Sequence, residues 1–174
     1  MTDSPSNLCE IYRFRAIGEK LGTAGQPTES QFRTIQDCGF KTVVNLALTT
    51  SDNAISNEGE VVTDLRMSYV HIPVNFEAPT SYNFKVFCRV MGAFGNGPMF
   101  VHCAANLRVS AFVFLYRVIF QDVPIAESEP DLHAIWQPDE VWSQFIQNEL
   151  KNHKPVPNEQ SPPPTTVGAL VSAT

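Results

Sequence analysis

No stretch of this 174-residue chain is apolar enough for long enough to cross a bilayer, which takes about 20 residues. The longest apolar run, Val109 to Phe120, is interrupted by Ser110 and Arg117 and reads as a buried helix. The opening MTDSPSNLCE has no basic region followed by an apolar stretch, which argues against a secretory leader. Cysteine is scarce. Cys9, Cys38, Cys88 and Cys103 have neither metal-ligand spacing nor the density of a disulfide scaffold, so a reducing, cytoplasmic setting and no metal are expected. Basic residues are outnumbered, 12 Lys and Arg against 18 Asp and Glu, giving a net charge of −6. The lack of a basic stripe argues against broad nucleic-acid binding, and any anion site has to be local. There are no internal repeats.

What is present is an ordinary globular balance, 43% hydrophobic and 17% charged. One domain over residues 1–152 is expected, with a disordered tail over 153–174 carrying Pro155, Pro157, Pro162, Pro163 and Pro164. Tyr12 to Ile17 alternates as a first edge strand would, and Gly22 to Pro27 reads as a turn-rich connection. Thr28 with Gln31 forms a capping-box pattern, so a helix should run to about Cys38, burying Phe32 and Ile35. Strands are expected over Lys41–Leu48, Tyr69–Val74 and the segment leading to His102. Helices are expected near Glu60–Met67, from Pro79 to about Phe94, and from Gln137 to about Leu150. The region after Phe120 reads as mixed. Alternating strands and helices point to an α/β fold with a mainly parallel central sheet flanked by helices.

The sharpest feature is VHCAANLRVS, residues 101–110. An apolar strand enters His102 and Cys103, a short loop of Ala104, Ala105, Asn106 and Leu107 follows, and Arg108 opens a helix. A helix start offers free N–H groups and partial positive charge. Arg108 adds a permanent planar charge suited to oxyanions. A cysteine so placed is a candidate thiolate nucleophile.

At this loop the chain resembles the cysteine-dependent protein tyrosine and dual-specificity phosphatases. It looks closest to a small bacterial phosphatase-like family that also occurs fused to beta-lactamase-like hydrolases. The resemblance is carried by Gly25-Gln26-Pro27, Gly39 to Leu46, His71-Ile72-Pro73-Val74 and Val101-His102-Cys103 through Arg108, and covers roughly residues 12 to 150. It implies hydrolysis of phosphotyrosine or another phosphomonoester through a cysteinyl-phosphate, without cofactor. Cys103 would be the nucleophile. Arg108 and the backbone of Ala104, Ala105, Asn106, Leu107 and Val109 would hold the phosphoryl oxygens. His102 would orient the loop, and Ser110 would bond the thiolate.

Three departures from the family pattern stand out. The loop between Cys103 and Arg108 is one residue shorter than is common, so Val109 takes the usual arginine position. Asn106 stands where glycine is common, and asparagine tolerates a left-handed backbone. Asn75 stands near the expected acid, leaving Glu77 as the nearest carboxyl group. Two alternatives stay open: a rhodanese-like sulfurtransferase, whose loops often have this spacing, and a non-catalytic anion-binding pseudophosphatase. Trp136 and Trp142 read as packing residues. Cys88 could approach Cys103. The partner expected is a phosphate-bearing substrate, protein or small molecule, with no nucleic acid or membrane.

Overall fold

A computed structural model describes residues 7–94 and 96–153. The expected proline-rich tail lies, from residue 154 onward, outside the described residues. Five strands form one sheet: β1 (Arg15–Ile17), β2 (Leu21–Ala24), β3 (Thr42–Asn45), β4 (Ser68–His71) and β5 (Met99–His102), in the order β1-β2-β5-β3-β4. Among these strands β1 and β2 pair antiparallel, and the other neighbours are parallel. The α/β reading with a mainly parallel sheet is therefore correct.

All four residues of β3 and of β5 are buried, as befits strands covered on both faces. Successive side chains point to opposite faces, and the core divides accordingly. Val43 and Phe100 face α1 (Glu29–Asp37) and α2 (Glu58–Asp64), meeting Phe32, Ile35 and Val62. Val44 and Val101 face α3 (Ser81–Phe94), α4 (Leu107–Phe120) and α6 (Glu140–Asn152), meeting Phe87, Phe112, Trp142 and Phe145. Each fully buried Val or Phe side chain contributes roughly 1.5–3 kcal/mol. The Thr28–Gln31 capping box forms as expected and starts α1. Among the described residues no helix is long and apolar enough to cross a membrane.

Two segments differ from expectation. The supposed turn at Gly22–Pro27 contains most of β2, which pairs parallel with β5 from Leu21 to Ala24. Its small residues answer a packing demand rather than a bend: a Cβ on Gly22 would lie 2.9 Å from Phe100 Cδ2. The mixed region after Phe120 contains α5 (Ile125–His133), which holds Pro130 internally. Asp131 of α5 receives Arg15 from β1 and Arg117 from α4, which ties this helix to the sheet.

Because β5 is the middle strand, Cys103 emerges beyond the carboxyl end of the sheet at its centre. Open α/β sheets offer ligand crevices at that place.

Candidate functional site

The loop from Cys103 to Arg108 is held by its carbonyls. Cys103 is fully buried, and its N–H donates to Ala24 O at 3.3 Å. The Ala104 carbonyl accepts from Gln26 N at 3.3 Å and Asn53 Nδ2 at 2.9 Å. The Ala105 carbonyl accepts from Arg13 Nη1 at 3.4 Å, and Ala105 bridges Gly25. In contrast, the N–H groups of Ala104, Ala105, Leu107, Arg108 and Val109 donate to no acceptor among the described residues. The last three belong to the first turn of α4, where such donors are free by construction.

Asn106 makes the short loop work. It caps α4 in the left-handed region, φ 63° and ψ 5°. Its side chain does not cap the helix; Nδ2 instead donates to Arg13 O at 2.8 Å and Thr23 Oγ1 at 3.2 Å. The left-handed turn expected of a glycine is thus made by an asparagine bonded on two sides.

Gly25 is the other requirement. A Cβ there would sit 2.6 Å from Tyr12 Cδ1 and 3.1 Å from Ala104 O. The Gly25-Gln26-Pro27 element is a clamp on the cysteine loop. Gly25→Val should displace both the loop and Tyr12 and cost about 1–3 kcal/mol, as overpacking does. Urea unfolding checks this, and an unchanged midpoint would contradict it.

Arg108 is the second residue of α4 and is buried. Nη1 donates to Val74 O at 2.9 Å, while Nε is buried with no acceptor. Val109, one residue on and about 100° around the helix, packs in the core. The helix therefore starts at a phase that turns Arg108, not Val109, to the loop. Phe76, Cys103, Ala104, Ala105, Leu107 and Arg108 line a depression of about 170 Å³. A larger cavity, about 510 Å³, lies at the other end of the strands around Lys20, Met99 and Gly97 and holds none of these groups.

His102 is buried, edge-on to Phe32, and turns Nε2 to Glu58 Oε1 at 3.1 Å. The Ser110 hydroxyl donates to Leu107 O at 3.0 Å and accepts from Trp136 Nε1 at 3.2 Å; it makes no hydrogen bond to Cys103. Helical back-bonding to the residue three earlier takes its proton instead. Glu77 is exposed and does not line the depression. Its N–H donates to Asn75 Oδ1 at 3.0 Å, so Asn75 shapes this loop. Trp142, in the core, also donates to Phe76 O at 2.9 Å and packs its ring against Phe76 beside Trp136. The two tryptophans therefore support the loop facing Cys103. The half-buried Cys88 thiol is pushed up to about 12 by burial, with Glu149 nearby adding to the shift.

Sequence reasoning missed Glu58 and Asn53. Both lie in a polar stretch without periodicity, and neither carries a signal in the chain alone. Glu58 is buried and receives Asn45 Nδ2 at 2.8 Å, Tyr69 OH at 2.8 Å, His102 Nε2, and Gln26 Nε2. Burial raises its pKa, but the bonds and charge from His102, with those from Gln26 and Tyr69, outweigh it and hold Glu58 below the usual carboxylate range. Tyr69 is pushed up, chiefly by burial.

Residues 18–160 match the family model described as a DSP-PTPase phosphatase fused to NAD+ kinase. A DUF442 protein from Shewanella putrefaciens CN-32 has a crystal structure similar to this one, with TM-score 0.77 and 28% identity over 86% of this chain and 99% of that one. Tk-PTP in its active form aligns with TM-score 0.68 and 14% identity over 81% of this chain and 97% of its own. TpbA of P. aeruginosa aligns with TM-score 0.63 and 16% identity over 79% of this chain and 84% of its own. A further TpbA structure, of a cysteine-to-serine variant, is a complex with phosphotyrosine. No curated protein sequence matches significantly.

Proposed function

Since the chain belongs to the family of DSP-PTPase phosphatase domains described as fused to NAD+ kinase, we propose that it hydrolyses a phosphomonoester, phosphotyrosine or another, through a cysteinyl-phosphate on Cys103. The observation that carries this reading is the asymmetry of the loop. Its Ala104 and Ala105 carbonyls are bonded to flanking residues, while its N–H groups and the buried Nε of Arg108 are unsatisfied beside Cys103. A buried donor without an acceptor, as Arg108 Nε is, is costly in a protein interior. An oxyanion in the depression would supply acceptors to Arg108 and to loop N–H groups facing it.

In the proposed reaction the Cys103 thiolate attacks phosphorus, the S–P bond forms and the P–O bond to the leaving group breaks. The non-bridging oxygens rest on the loop N–H groups, the partial positive start of α4 and Arg108. The leaving oxygen takes up a proton. Water then attacks phosphorus, the S–P bond breaks, and orthophosphate and the thiolate are released. His102 acts on the loop from behind, through Glu58. Phosphotyrosine in the TpbA complex supports an aryl phosphate as a ligand of that relative, and by extension as a first substrate to test here. The family match supports phosphoryl transfer over the sulfurtransferase alternative.

The acid role proposed for Glu77 rests on its place in the chain next to Phe76, which lines the depression with Cys103; Glu77 itself does not line it. Its exposure supports a weak contribution. Glu77→Gln should therefore slow 4-nitrophenyl phosphate by less than about tenfold and alkyl phosphates more, toward the ~10²-fold expected for loss of a general acid. Equal losses on both substrates would remove Glu77 from this role. The reading as a whole is tested by steady-state hydrolysis of an aryl phosphate between about pH 5 and 8, with trapping of phosphate on Cys103 by acid quench. Tight oxyanion binding with no trapped cysteinyl-phosphate would select the pseudophosphatase instead.

A further inference from the structure

Three of the four segments that carried the sequence resemblance send a contact to one residue that lies in none of them, and a fourth contact comes from two residues ahead of the remaining segment. Gln26 comes from the clamp, Asn45 from β3, Tyr69 from β4 two residues before His71, and His102 from β5. All four bond to the carboxylate of Glu58 at the start of α2.

We infer that Glu58 is a positioning residue for the candidate anion loop, holding both flanks of Cys103 from beneath the sheet edge. One flank is direct: Glu58 Oε1 accepts from His102, the residue before Cys103, at 3.1 Å. The other runs through Gln26, whose side chain donates to Glu58 Oε2 and whose backbone N–H donates to the Ala104 carbonyl at 3.3 Å. Ala104 is the residue after Cys103. The chain of bonds thus keeps the Ala104 carbonyl turned to the clamp and out of the depression, where it would repel an anion. The inference rests on the oxyanion reading of that depression.

The chemistry of the pocket around Glu58 is specific. Tyr69 OH, Asn45 Nδ2, Gln26 Nε2 and His102 Nε2 are its polar neighbours, drawn from the strands and the clamp packed against it, and all four donate. A carboxylate is the side chain that only accepts. Glutamine would place an NH₂ group against donors and leave at least one of them buried and unpaired. The remaining His102 nitrogen, Nδ1, is buried without a partner.

The test compares full-length wild type with Glu58→Gln for tungstate binding by calorimetry, well below each protein's unfolding temperature. The expected result is a dissociation constant raised about tenfold or more, the scale of a lost charge-assisted hydrogen bond. Val62→Ala is the control for destabilisation alone. Val62 lies on the same helix and is buried among apolar residues, so this variant should lower the unfolding temperature and leave tungstate affinity within about twofold. If Val62→Ala weakens tungstate as much as Glu58→Gln, or if Glu58→Gln binds like wild type, the positioning role is overturned. If Glu58→Gln does not fold, Gln26→Leu cuts the second flank alone and should still weaken binding several-fold; unchanged affinity there overturns the inference equally. A wild type that binds no tungstate overturns the oxyanion reading itself, a result distinct from the others.

Discussion

Cys103→Ser is expected to abolish turnover of 4-nitrophenyl phosphate, a loss of roughly 10⁴–10⁶-fold on the scale of nucleophile removal in other covalent enzymes. The exchange changes one atom in a fully buried side chain and leaves every loop carbonyl bond in place, since none involves the sulfur. Among the described residues, neither Ser110 nor His102 offers a free base to a serine hydroxyl at this position. The Ser110 hydroxyl is occupied by Leu107 O and Trp136, and His102 is turned to Glu58. Oxyanion affinity should survive, because the donors belong to the backbone and Arg108. Residual turnover above about one per cent of wild type would count against a covalent path through Cys103.

The second large effect is at Arg108. Its removal takes away a charge from the depression and the anchor between α4 and the loop at Val74, where Nη1 donates at 2.9 Å. Arg108→Ala should lower kcat/KM by about 10³–10⁵, the range seen when an arginine that stabilises phosphoryl transfer is lost. Arg108→Lys should recover little of this. An ammonium can donate to Val74 or to the ligand, but it lacks the planar fork that allows both at once. Kinetics of Arg108→Lys comparable with wild type would show that charge alone suffices. The same measurement settles whether the shortened spacing has cost the arginine its function.

Much of this arrangement could be read in the chain because it rests on local chemistry. The Thr28–Gln31 cap, the apolar strand before His102 and the start of α4, expected at Arg108 and found at Leu107, follow from near neighbours in sequence. What escaped notice depends on distant partners. Gly22, Thr23, Ala24 and Gly25 look like a turn until Phe100 and Ala104 are placed against them. Pro130 argues against a helix in isolation, yet α5 forms where Asp131 meets Arg15 and Arg117. Glu58 looks like one solvated carboxylate among several until three strands and the clamp close around it. The Ser110 hydroxyl, expected at the thiolate, here meets Leu107 O and a tryptophan 26 residues away.

The bonds that shape the cysteine loop also date its assembly. Asn106 reaches Arg13 across 93 residues and Thr23 across 83, and Asn53 reaches Ala104 across 51. Contacts so far apart close large loops and form only once the intervening chain is ordered, which slows folding relative to local structure. The strand and helix flanking Cys103 can form early, but the loop geometry has to await the docking of the amino-terminal segment on β5. If the loop binds an oxyanion as proposed, recovery of that binding after dilution from denaturant would report the last stage of folding, and a nascent chain would expose Cys103 without the shelter that later surrounds it.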